Sequence, residues 1–445
     1  MIPAPAEGRA PLVIAGAGIG GLSAALALAQ RGETVQVLER AAEISEVGAG
    51  LQLGPNAMHV LARLGLGEAV AAAGFTPRDA VIRDGRRGWT LFRMPLGSRI
   101  RRRHGAPFIQ IHRADLQRLL LDACHAAGVR IETGARLDTL EQDAKGVRLG
   151  LAGGESRRAR GLIGADGLHS SVRAALFGPA DVRFTGNLCW RATVPAAALP
   201  EGLVRPDATI WAGPGAHVVT YFLRGGSLVN IVAVREGPWR AESWTTEGDP
   251  DALRAAFAGW HPALRRLLDT VETCWLWALC DRPAMPDWSR GRAVLLGDAC
   301  HPMLPFLAQG AAMAIEDAWV LADCVAGESG RSEAGAGGRN APGGENAGTA
   351  AGDALPAAFA AYVARRRERA TRVQSRAAAN AGLFHASGAL TRVLRFGPMA
   401  LATRLAPGLF PPAFDWLYGV DVSAQHPPQS RVSKVRKVSA PNSPR

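Results

Sequence analysis

Residues 11–29 read PLVIAGAGIGGLSAALALA, and this stretch decides the fold. Its first five residues form an apolar run of strand length, the glycines that follow permit a tight turn, and the apolar segment from Leu22 to Ala29 is typical of a helix. A second apolar run, Thr34 to Leu38, begins shortly after Gly32. Strand, glycine turn, helix and strand in this order predict the opening of a βαβ unit.

The glycine turn has the spacing Gly-x-Gly-x-x-Gly at Gly16, Gly18 and Gly21. In a dinucleotide-binding turn the first glycine permits the tight bend, the second lets the backbone approach a pyrophosphate, and the third lets the helix pack closely on the strand. The diphosphate then accepts hydrogen bonds from N–H groups at the helix N-terminus. The spacing alone is a weak signal in a chain with 52 glycines, but its strand and helix context favours a dinucleotide site over a structural turn.

An acidic residue completes this motif. Glu39 ends the second strand, eighteen residues beyond Gly21, where a dinucleotide fold needs a carboxylate for a ribose hydroxyl. An acidic side chain at this position favours a free 2′-hydroxyl, as in FAD or NAD, over the 2′-phosphate of NADP.

Length and composition are those of an ordinary soluble globular protein. The 445 residues suffice for two or more packed domains, with 48% hydrophobic and 20% charged residues. We expect a cytoplasmic protein, because no stretch has the apolar length of a membrane span and the N-terminus lacks the pattern of a signal peptide. The six cysteines form no CxxC pair, so we expect reduced, mostly buried thiols and no metal site.

The formal net charge of +12 favours anionic partners through long-range steering. A nucleic-acid binder would also show a known module or a basic stripe interleaved with aromatic residues. Because neither is found, we predict no nucleic-acid binding.

Two later stretches repeat the pattern of a strand followed by a polar turn. Residues 161–165 are followed directly by Asp166-Gly167, and residues 292–296 are followed directly by Gly297-Asp298. In open parallel sheets such turns lie at the carboxyl edge, where ligands bind. Arg113, between a predicted strand and helix, can contact a phosphate or adenosine group or form an exposed salt bridge, and its position alone does not decide between them.

The pattern changes between residues 180 and 285 to short strands at close spacing, with Gly225-Gly226 as a two-residue hairpin signal. A helix is predicted from Gln309-Gly310 to about Ala326, with Gly327 as its stop. The segment 328–353 is rich in Gly, Ala, Ser and Asn and is predicted to be disordered.

The predicted fold class is therefore α/β, with a Rossmann-like domain, an inserted, mainly antiparallel β-sheet domain for the substrate, and C-terminal helices. The predicted divisions are a discontinuous dinucleotide-binding domain (1–179 and 286–326), the substrate domain (180–285), a disordered insert (327–355), a helical region (356–422) and a flexible basic tail (423–445).

Three motifs follow one another along the chain: Gly16-x-Gly-x-x-Gly21 with Glu39, then Asp166-Gly167, then Gly297-Asp298 followed by His301-Pro302. Together they resemble the fingerprint of the FAD-dependent aromatic-ring hydroxylases. These are single-component flavoprotein monooxygenases that include salicylate hydroxylase. The resemblance covers nearly the whole chain apart from the insert and the tail. The chain also lacks the second GxGxxG motif and the redox cysteine pair of disulfide reductase flavoproteins.

The resemblance implies roles for individual residues. Glu39 and Arg40 would lie at the adenosine ribose, Arg113 would contact FAD, and Asp298 would hold the ribityl chain. Asp166 would take part in binding both FAD and NAD(P)H.

It also implies a reaction in which NADH or NADPH reduces the flavin and oxygen then forms a flavin C4a-hydroperoxide, which transfers one oxygen atom to an electron-rich ring. A helix that starts at Gly310-Ala311 would direct N–H groups at the negative charge of the reduced flavin. Water must be excluded, because otherwise the peroxide is lost.

The catalytic candidates are His217 and Tyr221, which could act as a base or hydrogen-bond partner for a substrate phenol. On a strand they face the same side, about 13 Å apart at 3.3 Å per residue, and so would flank a substrate. Related phenol and hydroxypyridine hydroxylases are similar here. The alternative is that both side chains simply pack under a neighbouring helix.

We therefore predict a monooxygenase that uses FAD, NAD(P)H and O2 to hydroxylate an aromatic acid or phenol of the salicylate or hydroxybenzoate type, as a monomer or homodimer. One alternative keeps this chemistry but acts on a larger polyketide or quinone-type substrate. The other is a flavin-binding redox protein without turnover.

Overall fold

The structure is a computed structural model that describes residues 10–44, 50–238, 246–337, 354–385, 397–398, 401 and 410–424. Residues 338–353 of the predicted insert and residues 425–445 of the predicted tail lie outside this described part. Within it, none of the helices has the length and apolar character that crossing a bilayer requires.

A mostly parallel sheet surrounds the first strand. Its strands, in spatial order, are Ser289–Arg290 (β18), Ala293–Leu295 (β19), Gly161–Gly164 (β11), Leu12–Ala15 (β1), Val35–Leu38 (β2) and Arg130–Glu132 (β7). Neighbours are parallel except β18 and β19. The first helix, Ile19–Ala29 (α1), is buried along nearly its whole length, which explains why it is built from Ala and Leu without a polar face. The βαβ prediction is confirmed.

A second, mainly antiparallel sheet forms the other layer. Its strands, in spatial order, are Glu247–Gly248 (β16), Cys274–Asp281 (β17), Arg183–Pro195 (β12), Leu228–Glu236 (β15), Ala216–Leu223 (β14), Ala208–Gly213 (β13), Asp79–Asp84 (β4) and Thr90–Pro95 (β5). β13 and β4 are parallel, whereas the other neighbours are antiparallel.

Two details of this sheet differ from the sequence predictions. The hairpin between β14 and β15 exists, but Leu223 pairs with Leu228, so its loop has four residues rather than two. Arg224, Gly225 and Gly226 all have positive φ there. This second sheet also contains β4 and β5, which come from the segment 1–179 and not from the predicted substrate domain 180–285. The parallel pairing of β4 with β13 is non-local and leaves no local sequence signal.

The remaining described elements connect and cover these sheets. The short strands are Gly50–Leu53 (β3), Ile109–His112 (β6), Leu137–Asp143 (β8), Gly146–Leu151 (β9) and Ser156–Ala159 (β10). The helices are Pro55–Arg63 (α2), Gly67–Ala73 (α3), Gly97–His104 (α4), Arg113–Ala126 (α5), Ser171–Phe177 (α6), Pro250–Ala256 (α7), Pro262–Asp269 (α8), Gly310–Gly337 (α9), Ala354–Phe384 (α10), Phe410–Ala413 (α11) and Asp415–Tyr418 (α12). Strand β3, just before α2, pairs with β6 in a separate antiparallel pair.

Helix α9 continues past Gly327 to Gly337, so the prediction that Gly327 ends it is wrong, and residues 327–337 belong to the helix rather than to a disordered insert. A glycine in a helix interior costs only about 1 kcal/mol relative to alanine. A helix already formed and packed over its first turns can continue through it, because adding one residue is much easier than nucleation.

The basic segment of α10 is turned partly inward. Arg366, 1% exposed, donates hydrogen bonds to Asp317 Oδ1 at 2.7 Å and Glu316 Oε2 at 2.6 Å, both on α9. Arg369 donates to both oxygens of Glu316, and Asn56 on α2 donates to the same carboxylate at 2.7 Å. This buried network joins three helices behind the turn that contains Asp298.

The second sheet has two differently covered faces. Ala216 and Val218 of β14 pack outward in an apolar cluster with residues of α7 and α8. Val219 and Val232 face the opposite side, toward Phe306 and Phe384. That inner face borders a large cavity.

Candidate active site

One cavity of about 1540 Å³ runs from the glycine turn to the inner face of the second sheet. Pockets for one small molecule usually have about 300–1,000 Å³, so this cavity has room for more than one. Residues from segments far apart in sequence share its wall. The predicted site residues that line it are Gly16, Gly18, Glu39, Arg40, Arg113, Asp166, His217, Tyr221, Asp298, Gly310 and Ala311.

The three glycines have the geometry that a dinucleotide turn requires. Gly16 has φ +106°, and a Cβ on it would lie 2.5 Å from the carbonyl oxygen of Ala165. A Cβ on Gly21 would lie 2.0 Å from the carbonyl oxygen of Gly16, so Gly21 serves close packing and does not line the cavity. A Cβ on Gly18 would meet nothing within 4 Å, which leaves its backbone open to a ligand in the cavity.

Glu39 ties the turn to the second strand. Its Oε2 accepts a hydrogen bond from Ala17 N at 2.8 Å, and its Oε1 accepts one from Ala41 N at 2.9 Å. Each carboxylate oxygen has a further lone pair for a hydroxyl donor. Glu39 can therefore hold both the backbone turn and a ribose.

Asp166 has one carboxylate oxygen engaged and one available. Its Oδ2 accepts hydrogen bonds from Ser171 Oγ at 3.1 Å and Val172 N at 3.2 Å, at the start of α6. Its Oδ1 is buried and has no hydrogen-bond partner among the described residues. An unsatisfied buried acceptor facing a cavity fits a ligand with hydroxyl or amide donors.

Asp298 lines the same cavity from the turn between β19 and α9. It is exposed and lines the cavity, and desolvation by the surrounding protein raises the pKa of its carboxyl, opposed by the charges of His301 and Arg113. A Cβ built on Gly310 would lie 4.0 Å from Asp298 Oδ1, so the carboxylate and the start of α9 flank the same space.

His301 is oriented away from this space. Its Nε2 lies 2.5 Å from Asp317 Oδ2, and it is not among the described residues that line the cavity. Burial alone would lower the pKa of His301, but Asp317 and Cys300 outweigh it and raise the pKa well above the usual value. This geometry favours a structural role under the turn over contact with a substrate.

His217 and Tyr221 lie on the same face of β14, as predicted, and both line the cavity with Val219 between them. Burial, and then His385, lowers the pKa of His217 well below its usual value. Burial also raises the pKa of Tyr221. At neutral pH the site therefore presents a neutral imidazole and a protonated phenol, a potential base and a hydrogen-bond donor.

Several residues in or behind the cavity wall carry no local sequence signal. His385 follows α10 and contacts His217, although 168 positions separate them. Asn230 accepts a hydrogen bond from Gly50 N at 2.8 Å, which holds β3 against the second sheet beside Tyr221. Arg372 and Arg376 line the cavity from α10, four residues apart on one helix face.

Comparison with known proteins gives the family. The model of the FAD binding domain family matches residues 9–333. A 3-hydroxybenzoate 6-hydroxylase of Polaromonas naphthalenivorans (strain CJ2) is 37% identical over 93% of this chain and 96% of its own length. The chain belongs to the FAD-dependent aromatic-ring hydroxylases. The predictions of family, fold class and enzyme are thereby confirmed.

Two further proteins are similar to this chain. A 6-hydroxynicotinate 3-monooxygenase of Pseudomonas fluorescens is 36% identical over 82% of this chain and 89% of its own length. The crystal structure of Klebsiella pneumoniae HpxO complexed with FAD and uric acid superposes on this chain with a TM-score of 0.75 and 28% sequence identity. The superposition covers 90% of this chain and 95% of the HpxO chain. FAD is the cofactor of this hydroxylase, with NADH or NADPH as co-substrate.

Replacing Asp298 with alanine should weaken FAD binding, because a cavity-facing carboxylate would no longer accept hydrogen bonds from the cofactor. Loss of one hydrogen bond to a charged group is worth about 1.5–3 kcal/mol, which corresponds to a roughly 10–100-fold higher Kd. Flavin fluorescence titration of the apoprotein measures this Kd. Asp287→Ala, at an exposed position, is the matched control. An unchanged Kd in Asp298→Ala would remove Asp298 from the binding site.

Proposed function

We propose that this hydroxylase acts on a six-membered aromatic ring that carries both a hydroxyl and a carboxylate group. The first substrate to test is 3-hydroxybenzoate, with hydroxylation at C6 to give 2,5-dihydroxybenzoate. The main observation that supports this proposal is that His217 and Tyr221 line the same cavity as the glycine turn and Asp298. A potential base for a ring hydroxyl therefore shares one space with the predicted flavin site.

The names of the relatives support this substrate class. The names 3-hydroxybenzoate 6-hydroxylase, 6-hydroxynicotinate 3-monooxygenase and 3-amino-4-hydroxybenzoate 2-monooxygenase all describe a hydroxylated ring acid. Two relatives named for 3-hydroxybenzoate cover 93% and 92% of this chain. The shared chemistry is a ring hydroxyl that activates the ring toward an electrophilic oxygen.

The cofactor would be held by residues at both ends of the cavity. Gly18 and the start of α1 would receive the diphosphate, and Glu39 and Arg40 the adenosine ribose. Arg113 and Asp166 would contact the middle of FAD. Asp298 would bind the ribityl chain, and Gly310 and Ala311 would direct N–H groups toward the flavin ring. When bound, FAD accepts a hydride from NAD(P)H and activates O2 so that one oxygen atom can be transferred to the ring.

The protein's own groups would prepare the substrate. The neutral imidazole of His217 would accept the proton of the ring hydroxyl, which makes the ring more electron-rich. Tyr221, protonated because burial raises its pKa, would donate a hydrogen bond and fix the orientation of the ring. Phe306 and Phe384, whose ring centres lie 5.1 and 5.3 Å from that of His217, would keep water away from the reacting atoms.

We also infer a cytoplasmic location. No disulfide bond joins the six cysteines, all of which lie in the described part of the chain, and five of them are buried, as expected for a protein from a reducing compartment.

The test is NADH and NADPH oxidation by the purified protein with a panel of ring acids, with product identification by mass spectrometry. The panel contains 3-hydroxybenzoate, salicylate, 6-hydroxynicotinate, 3-methoxybenzoate and urate. We expect stimulated oxidation and a hydroxylated product with at least one hydroxy acid, and no product with the methoxy analogue, which has no ionisable hydroxyl. Product from urate alone, or from none of the panel, would contradict the proposed substrate class and favour a larger substrate or a protein without turnover.

A further inference from the structure

A chain of three side chains leads from the cavity to the protein surface. His217 Nδ1 lies 2.7 Å from His385 Nε2, and His385 Nδ1 lies 3.1 Å from Glu236 Oε1. His217 is 2% exposed, the His385 side chain is 4% exposed, and the Glu236 side chain is 60% exposed. The three groups thus connect the cavity wall with bulk solvent through two hydrogen bonds.

The backbone holds these groups in place. Gly215 N donates to the carbonyl oxygen of His385 at 3.2 Å, and Glu236 N donates to the carbonyl oxygen of Gly215 at 2.9 Å. The end of α10 is thereby tied to the turn between β13 and β14. Phe306 and Phe384 border the His217 ring, so its polar contact in this region is with His385.

The carboxylate at the outer end determines which nitrogen of each imidazole carries the proton. A carboxylate only accepts, so His385 must donate from Nδ1 and, being neutral, has a bare Nε2. His217 must then donate from Nδ1 to that nitrogen, and its own Nε2 carries the lone pair. Because Nδ1 faces His385, the Nε2 of His217 is the nitrogen left to accept a proton from a substrate.

We propose that His217, His385 and Glu236 form a relay that carries the proton of the substrate hydroxyl between the closed active site and solvent. This inference rests on the proposed function, because His217 must contact the ring hydroxyl. His385 and Glu236 act through His217 and are positioning residues rather than catalytic residues.

The proton balance closes without any additional reactant. The ring hydroxyl gives its proton to His217 Nε2, His217 Nδ1 passes one to His385 Nε2, and His385 Nδ1 passes one to Glu236, which releases it to water. When the product's ring oxygen regains a proton, the same steps run in reverse. Each imidazole then returns to its starting tautomer without a ring flip.

The charges around the relay favour outward transfer. Burial, followed by the effect of His385, lowers the pKa of His217 well below its usual value, so a proton is not retained there. Burial also lowers the pKa of His385, but Glu236 opposes this and stabilises its charged form. The titratable groups that act on the two rings come from β14, β15 and the end of α10, namely His217, Glu236 and His385.

The first test is the tautomeric state of the two histidines, read by ¹⁵N NMR of histidine-labelled protein and assigned with His217→Gln and His385→Gln variants. We expect both rings to be neutral and protonated at Nδ1 at pH 7. Protonation of His217 at Nε2 would overturn the relay, because the ring could not then accept the substrate proton. This measurement requires neither substrate nor turnover.

The second test is the rate at which bound substrate ionises, followed by stopped-flow absorbance of its phenolate with the oxidised protein. His385→Gln keeps an acceptor for His217 but cannot relay a proton, and Glu236→Gln removes the outer base at an exposed position. We expect ionisation to slow by roughly tenfold or more in both, with substrate Kd within about twofold. Added formate should partly restore the rate in Glu236→Gln. Arg235→Gln, at the neighbouring exposed position, is the matched control.

The outcomes separate the two proposals. Wild-type protein that binds none of the ring acids contradicts the proposed function. Wild-type protein that binds and ionises a ring acid, while both variants ionise it at the wild-type rate, contradicts the relay alone. Slowing in His385→Gln without slowing in Glu236→Gln also overturns the relay, because His385 would then only orient His217.

Discussion

Replacing His217 with alanine is expected to leave FAD bound but to reduce coupled hydroxylation by about 10²–10⁴-fold, the usual contribution of a general base. The imidazole faces the cavity from the second sheet, on the opposite side from the glycine turn that would hold the diphosphate. Its loss should therefore spare the cofactor. NAD(P)H oxidation should continue in part, with hydrogen peroxide replacing hydroxylated product.

The measurement is the ratio of product formed to NAD(P)H consumed, together with flavin content. His217→Asn is a more stringent variant, because an asparagine amide can still donate to His385 but has no base at the Nε2 position, and it should be equally impaired. His125→Ala, at an exposed position on α5, should behave as wild type. Normal coupling in His217→Ala would remove this side chain from the mechanism.

Replacing Arg366 with alanine is expected to lower the free energy of unfolding by about 3–5 kcal/mol, because one partner of a buried ion pair is removed and the other stays charged in the interior. Glu316 and Asp317 are 0% exposed, and Arg366 donates to both. Burial raises the pKa of each acid, but Arg366 is among the charges that outweigh it and lower the pKa. Without the Arg366 guanidinium, much less positive charge offsets the cost of burying the Glu316 and Asp317 carboxylates.

Arg365 provides the matched control one position earlier on the same helix. It pairs with Asp323 at 2.6 Å, but both side chains are about half exposed, at 48% and 49%. An exposed pair contributes only about 0–1 kcal/mol. Urea denaturation followed by far-UV circular dichroism should show a much larger midpoint shift for Arg366→Ala than for Arg365→Ala. Equal shifts would contradict the assignment of Arg366 to a buried network.

The sequence by itself determined the start of the fold and the family. The decisive stretch spans roughly thirty residues and contains an apolar strand, glycines at fixed spacing, a helix and Glu39. Each of these satisfies a local requirement of backbone conformation or close packing. The period-two pattern of β14 likewise placed His217 and Tyr221 on one face, because alternate strand residues always share a side. Local periodicity is enough for such predictions.

Tertiary structure alone decided the partners of these local elements. Three contacts join segments that are separated by more than 40 residues. They are the pairing of β4 with β13, the contact of Arg366 with Asp317 and the contact of His217 with His385. Whether a charged side chain is solvated or buried, and which tautomer a histidine adopts, depends on the groups brought beside it from other elements. The sequence therefore determined which groups could form a flavin site, whereas the packing of distant elements determined the relay behind His217 and the buried charges behind Asp298.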